Sequence, residues 1–138
     1  MINSILIDSG PIIALFDRDD AYHYKVKDFI KDNKFHLLTT TAVVTEVSHM
    51  LSFNINVQIS FLEWIMRDGI TIFEIKQNHI SRIIELTRKY SDLPMDFADA
   101  TLVIAAEHTK ICKIISIDSD FDIYRLPGKE LIQNLLFK

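Results

Sequence analysis

The chain has 138 residues, 49% of them hydrophobic, which is enough for one domain with a proper core. Three glycines and three prolines exclude a loop-dominated or disordered chain, and the single cysteine, Cys112, excludes an internal disulfide and suits a reducing cytoplasm. A formal net charge of −4 argues against bulk attraction to nucleic acid, although a cation-loaded acidic pocket would change the sign locally.

The first apolar run, Ile5-Leu6-Ile7, is stopped by Asp8, and no basic segment precedes it, so no signal peptide is expected. No later stretch reaches the roughly eighteen apolar residues that a membrane span needs. Ile5 to Ile7 reads as a buried strand, Asp8-Ser9-Gly10-Pro11 as a turn, and Ile12 to Phe16 as a helix with proline in its first turn. A polar helix follows from Asp19 to about Asn33, with Tyr22, Val26, Phe29 and Ile30 inward and Lys25, Lys27, Lys31 and Lys34 on a solvated face. Phe35 to Leu38 is a short strand. Thr39 to Thr41 then leads into a helix over about residues 42–53, with Val43, Val47, Met50 and Leu51 as its stripe.

Asn56 is expected to cap the next helix, with Phe61 and Trp64 as core or interface anchors, ending near Asp68-Gly69. Ile70 to Ile75 is rich in β-formers. Asn78 opens a helix that ends near Arg88-Lys89, where cations are favoured. Pro94 marks a turn, after which Asp96 is placed to cap a helix that carries Asp99 in its first turn. That helix is apolar and small from Ala100 to Ala106, so most of its faces should be buried. Ile114 to Ile117 is a buried strand ending at Asp118, followed by a helical turn near Phe121, a basic segment from Arg125 to Lys129, and a last edge strand within residues 131–137. Short apolar strands alternating with helices predict an α/β fold with a parallel sheet covered on both faces, spanning residues 1–138 as one domain.

In such a sheet, ligands sit beyond the carboxyl ends of the strands, where strand order reverses. Asp8 and Asp118 each end a strand, Asp96 and Asp99 start a helix that runs back to the same edge, and Glu46 borders the apolar stripe near the start of its helix. Taken one by one, these acids also serve as strand ends and helix caps worth about 1 kcal/mol each. Taken together they would repel: two like charges about 4 Å apart cost roughly 4 kcal/mol at an effective dielectric near 20. A cation would relieve that repulsion. With no histidine at metal spacing and no cysteine pair, the oxygen donors favour Mg²⁺ or Mn²⁺ over zinc and suit phosphodiester hydrolysis. His23 and His49 are expected to satisfy local hydrogen bonds, and Cys112 to fill apolar space.

Four segments in order, Ile7-Asp8-Ser9, Thr45-Glu46, Asp96-Phe97-Ala98-Asp99-Ala100 and Ser116-Ile117-Asp118-Ser119-Asp120-Phe121, resemble the motifs of the PIN-domain nucleases. The resemblance is closest to the VapC-type toxins of toxin–antitoxin pairs. It implies a three-layer α/β/α sandwich with strand order 3-2-1-4-5. It further implies Asp8, Glu46, Asp99 and Asp118 as catalytic carboxylates, with Asp8, Asp99, Asp118 and Asp96 as ligands of Mg²⁺ or Mn²⁺. Ser9, Ser116 and Asp120 would support them, and Arg125 and Lys129 lie close enough in sequence to reach substrate. Gly10 departs from the polar residue common in the family. The implied activity is cytoplasmic endoribonucleolytic cleavage leaving a 3′-hydroxyl and a 5′-phosphate, by a homodimer held in check by a small antitoxin. A stand-alone RNA-processing nuclease and a non-catalytic RNA- or protein-binding module are the alternatives. A small-molecule phosphohydrolase fits less well, since it lacks both a glycine-rich phosphate loop and an acid at Gly10.

Overall fold

A computed structural model describes residues 3–93 and 95–137 of the chain; Pro94, on which the expected turn rests, lies outside the described residues. Seven short strands occur among them: β1 (Ser4–Ile7), β2 (His36–Thr40), β3 (Thr71–Phe73), β4 (Lys113–Ile115), β5 (Arg125–Leu126), β6 (Glu130–Leu131) and β7 (Gln133–Asn134). The helices are α1 (Ser9–Phe16), α2 (His23–Asp32), α3 (Thr41–Met50), α4 (Ile55–Met66), α5 (Ile80–Lys89) and α6 (Phe97–Thr109).

Five strands form a parallel sheet in the order β3-β2-β1-β4-β7, with Leu6 opposite Leu38 on one side and opposite Ile114 on the other. This is the expected 3-2-1-4-5 order once the antiparallel pair β5–β6, folded back around Gly128 (φ 76°), is set aside. Ile5, Leu6 and Ile7 are all fully buried, as they must be when helices cover both faces of a sheet. Strand order reverses between β1 and β4, so their carboxyl ends, at Asp8 and Ser116, flank the switch point.

Helix α6 is buried without a break from Ala98 to Ala106, because small side chains let it lie close against its neighbours α3, α5 and β2. Two hydroxyls pin it to the sheet. Thr101 Oγ1 donates to the Ala98 carbonyl at 2.6 Å, so its partner at 2.7 Å, Thr40 Oγ1 at the end of β2, must be the donor in that pair. On its other side, Arg82 of α5 forks onto Glu107, with its nearest contact at 2.8 Å. Phe61 is a fully buried core residue, and half-buried Trp64 packs against that core, edge-on to Phe16 at 5.4 Å.

Several boundaries differ from the sequence reading: α2 starts at His23 and not at Asp19, β2 runs on to Thr40, α3 ends at Met50, and three further differences have a visible cause. Helix α4 starts two residues early, capped by Asn54, whose side chain accepts from the Asn56 amide at 2.9 Å; two asparagines compete there, and the earlier one wins the cap. The first helix begins directly at Ser9, so the segment expected to be a separate turn is its first turn, with Pro11 inside it. Strand β4 stops at Ile115 because the Asn134 side chain takes over the backbone of Ser116, accepting from its amide at 3.3 Å and donating to its carbonyl at 2.8 Å. None of the helices among the described residues is long and apolar enough to cross a membrane.

Candidate active site

Asp8 leaves β1 with its amide still on the ladder, donating to the Ile115 carbonyl at 3.1 Å, and its side chain caps α1. One carboxylate oxygen accepts from the Ser9 amide at 2.8 Å and the other from the Ser116 hydroxyl at 3.0 Å. That hydroxyl in turn accepts from the Asp118 amide at 3.1 Å. Asp118 caps the helical turn Ser119–Asp122 by accepting from the Asp120 amide at 3.0 Å. The end of β4 thus grips Asp8 twice, its amide through the Ile115 carbonyl and its side chain through Ser116.

On the other side of the switch point, Asp96 caps α6, its Oδ1 accepting from the Asp99 amide at 2.8 Å. Asp99 is buried, and its Oδ2 accepts from the Tyr124 hydroxyl at 3.0 Å. Tyr124 is fully buried, edge-on to Tyr90 at 5.0 Å and to Phe121 at 5.2 Å, while the Tyr90 hydroxyl accepts from the Arg125 amide. Glu46, half-buried on α3, lines an open cleft of about 530 Å³ together with Asp96, His49 and Phe97.

These acids share one electrostatic field. Burial raises the Asp8 carboxyl to a pKa of about 6, against the lowering effect of its Ser9 and Ser116 bonds, and the charges of Glu46 and Asp96 push it further up. Asp99 rises to about 8, first by burial and then by the charges of Asp8, Asp96 and Asp118, while the Tyr124 bond opposes the rise. Asp120 is raised by burial and by its neighbours Asp118 and Asp96. Burial and the charge of Asp99 hold the Tyr124 phenol protonated well above the usual range, so it remains a donor. The carboxylates expected from sequence at residues 8, 46, 96, 99, 118 and 120 therefore lie within reach of one another's charge.

Among the described residues, no three His, Cys, Asp or Glu side chains form a ready-made metal cage. The donors present are hard carboxylate oxygens, which fit Mg²⁺ or Mn²⁺: Mg²⁺ binds through one or two carboxylates and keeps several waters. Oδ1 of Asp99 accepts no hydrogen bond among the described residues, and it belongs to the acid whose charge is least tolerated.

Other expected residues lie elsewhere. The Arg125 guanidinium donates to the carbonyls of Asp122 and Tyr124 and borders a separate hollow with Cys112 and Lys113, at the amino end of β4. Lys129 is exposed in the β5–β6 turn, and the four lysines of the second polar segment are all exposed. His23 is buried and its Nδ1 pairs with the Ala14 carbonyl at 2.7 Å, the local bond expected of it. His49 is exposed on the acidic cleft instead. Sequence reasoning missed Tyr124 and Asn134, which hold the site from behind. The one available hint was a tyrosine three residues after Phe121 in the expected helical turn, since a buried phenol needs a partner.

The PIN domain family matches residues 5–126. No curated relative matches the chain in sequence. Among solved structures, the fold is similar to that of Mycobacterium tuberculosis VapC20, described as a toxin that cleaves the sarcin–ricin loop. The TM-score is 0.79 at 17% identity, over 87% of this chain and 94% of that one.

Proposed function

The chain belongs to the PIN domain family, and from that premise we propose that it is a Mg²⁺- or Mn²⁺-dependent endoribonuclease, the toxin of a VapBC-type pair. The observation that carries this reading is the crowding of like charge around two buried carboxylates: Asp8, raised to about 6 with Glu46 and Asp96 among the causes, and Asp99, raised to about 8 with Asp8, Asp96 and Asp118 among them. Asp8 and Asp99 would hold the cation, with Asp96 and Asp118 as further ligands and Glu46 adding charge at the cleft. Bound there, the cation supplies an activated water and stabilises the leaving oxygen.

The chain's own residues do the rest. Ser9 and Ser116 fix Asp8 through both of its oxygens, so its carboxylate plane cannot rotate. Tyr124 fixes Asp99 through one oxygen and leaves the other open. Asp120 braces the turn that carries Asp118. Holding ligands through outer hydrogen bonds in this way fixes their direction and favours the charged form that a cation needs. A second copy of the chain and a small antitoxin protein are the partners this reading includes. A reducing cytoplasm is the setting it includes, in keeping with the free thiol of Cys112.

Incubating the purified chain with single-stranded and stem-loop RNA tests the proposal. Cleavage should require Mg²⁺ or Mn²⁺, stop on adding EDTA, and leave 5′-phosphate and 3′-hydroxyl ends. Cleavage that persists in EDTA would remove the metal from the reading, and tight RNA binding without turnover would favour the non-catalytic module.

A further inference from the structure

Phe97 is the first residue of α6, directly after Asp96, and 55% of it is exposed. A ring left so open adds little to the core, whose buried run starts one residue later at Ala98. The ring borders two hollows that share Ala42, Thr45 and Phe97. One, of about 530 Å³, carries Glu46, Asp96 and His49; the other, of about 460 Å³, reaches Glu74, Lys76 and Gln77. The exposed face of α3 from Thr41 to His49 thus floors one channel that begins at the acids, and Phe97 stands between its two halves.

We propose that Phe97 stacks a nucleobase beside the scissile phosphate, and that the second hollow takes the adjoining nucleotide of single-stranded RNA, with Lys76 and Gln77 at its far end. This rests on the ribonuclease reading above. Each hollow has the volume of a small-molecule site. Aromatic rings hold successive bases of single strands in a sequence-tolerant way, and a lysine and an amide at the end of the channel offer a phosphate partner and a base-edge partner. A partner helix would call for a longer apolar stripe, and the chain presents one elsewhere, at Ile55, Ile59, Leu62 and Met66 along α4.

The test is steady-state cleavage of a short fluorescent oligoribonucleotide by the wild-type chain, Phe97→Ala and Phe97→Trp, with the mass of each measured by light scattering. Melting curves confirm that the variants fold. Phe97→Ala should raise KM by about tenfold while kcat changes less, and Phe97→Trp should restore KM to within about twofold. Tryptophan fluorescence of Phe97→Trp should be quenched by the oligonucleotide beyond any change of the parent chain. An unchanged KM in Phe97→Ala would overturn the proposal, as would a loss of mass in that variant, which would assign the ring to a protein contact. If the wild-type chain does not cleave, the ribonuclease reading fails by itself. The quench then decides the stacking: its presence supports the platform and its absence overturns it.

Discussion

The Tyr124 hydroxyl donates to Oδ2 of Asp99 at 3.0 Å, from a ring with no exposed surface. A phenol this deeply buried, packed edge-on against Tyr90 and Phe121, cannot turn away from the acid it holds. It is the only hydroxyl on Asp99 among the described residues, and it opposes the burial and like charges that push the acid toward its neutral form.

Replacing Tyr124 with phenylalanine keeps the packing and removes that donor. Outer hydrogen bonds to metal ligands are worth about 10- to 100-fold in affinity, so Mn²⁺ binding followed by calorimetry should weaken by about tenfold. Stability should fall by roughly 1–3 kcal/mol in urea unfolding, the cost of an unsatisfied buried acceptor. Wild-type affinity in Tyr124→Phe would show that the phenol does not orient Asp99.

Asn134 acts at one remove. Its side chain makes three bonds, with the amide and carbonyl of Ser116 and the amide of Leu136, and Ser116 in turn holds Asp8. Asn134→Ala should cost about 1–3 kcal/mol in urea unfolding. It should also slow RNA cleavage, as should Ser116→Ala, because both free the same carboxylate. Full activity in both variants would break the link between the edge strand β7 and Asp8.

The raised acids set the pH dependence of the metal-free chain. Asp99 titrates near 8 when folded against an ordinary 3.8, and Asp8 near 6, so between those values the folded state binds more protons than the unfolded state. Stability is then lost as pH rises from about 4 to about 8, with both acids contributing up to about 6 and Asp99 alone above that. In EDTA the melting temperature should be lower at pH 8 than at pH 5.5 by about 5 °C or more. Saturating Mg²⁺ should remove that drop, because the cation binds the deprotonated form. A melting temperature that climbs with pH in EDTA would contradict the shared field.

The elements that carry the acids were legible because each announces itself locally: Asp8 ends an apolar run, Asp96 and Asp99 open a helix, and Asp118 follows Ile114-Ile115. The family resemblance named Ser9 and Ser116 as supports, but the long-range bonds behind the acids were not legible. Ser116 meets Asp8 across 108 residues, Thr40 meets Thr101 across 61, and Asn134 meets Ser116 across 18, so no local spacing encodes any of these bonds. The early start of α4 has a different origin, since Asn54 and Asn56 are equally good caps and only the packing of the helix chooses between them.

Two glycines differ in what they tolerate. A Cβ on Gly69 would lie 2.1 Å from Trp64 Nε1, inside the ring, whereas one on Gly10 would lie 3.4 Å from its nearest neighbour, Ile117. Gly69→Ala should therefore cost about 1–3 kcal/mol by overpacking, and Gly10→Ala should stay within about 0.5 kcal/mol, both measured by urea unfolding. Equal stabilities would mean that Trp64 yields freely.

The most direct test of the proposed centre is the cleavage rate of an oligoribonucleotide by Asp99→Asn in saturating Mg²⁺, with its melting temperature taken in EDTA. Amidation removes a buried charge from among Asp8, Asp96 and Asp118, so the variant should melt no lower than the wild-type chain at pH 8 and yet cleave at least about 1000-fold more slowly. Cleavage within tenfold of wild type by this folded variant would contradict a reaction centred on these carboxylates.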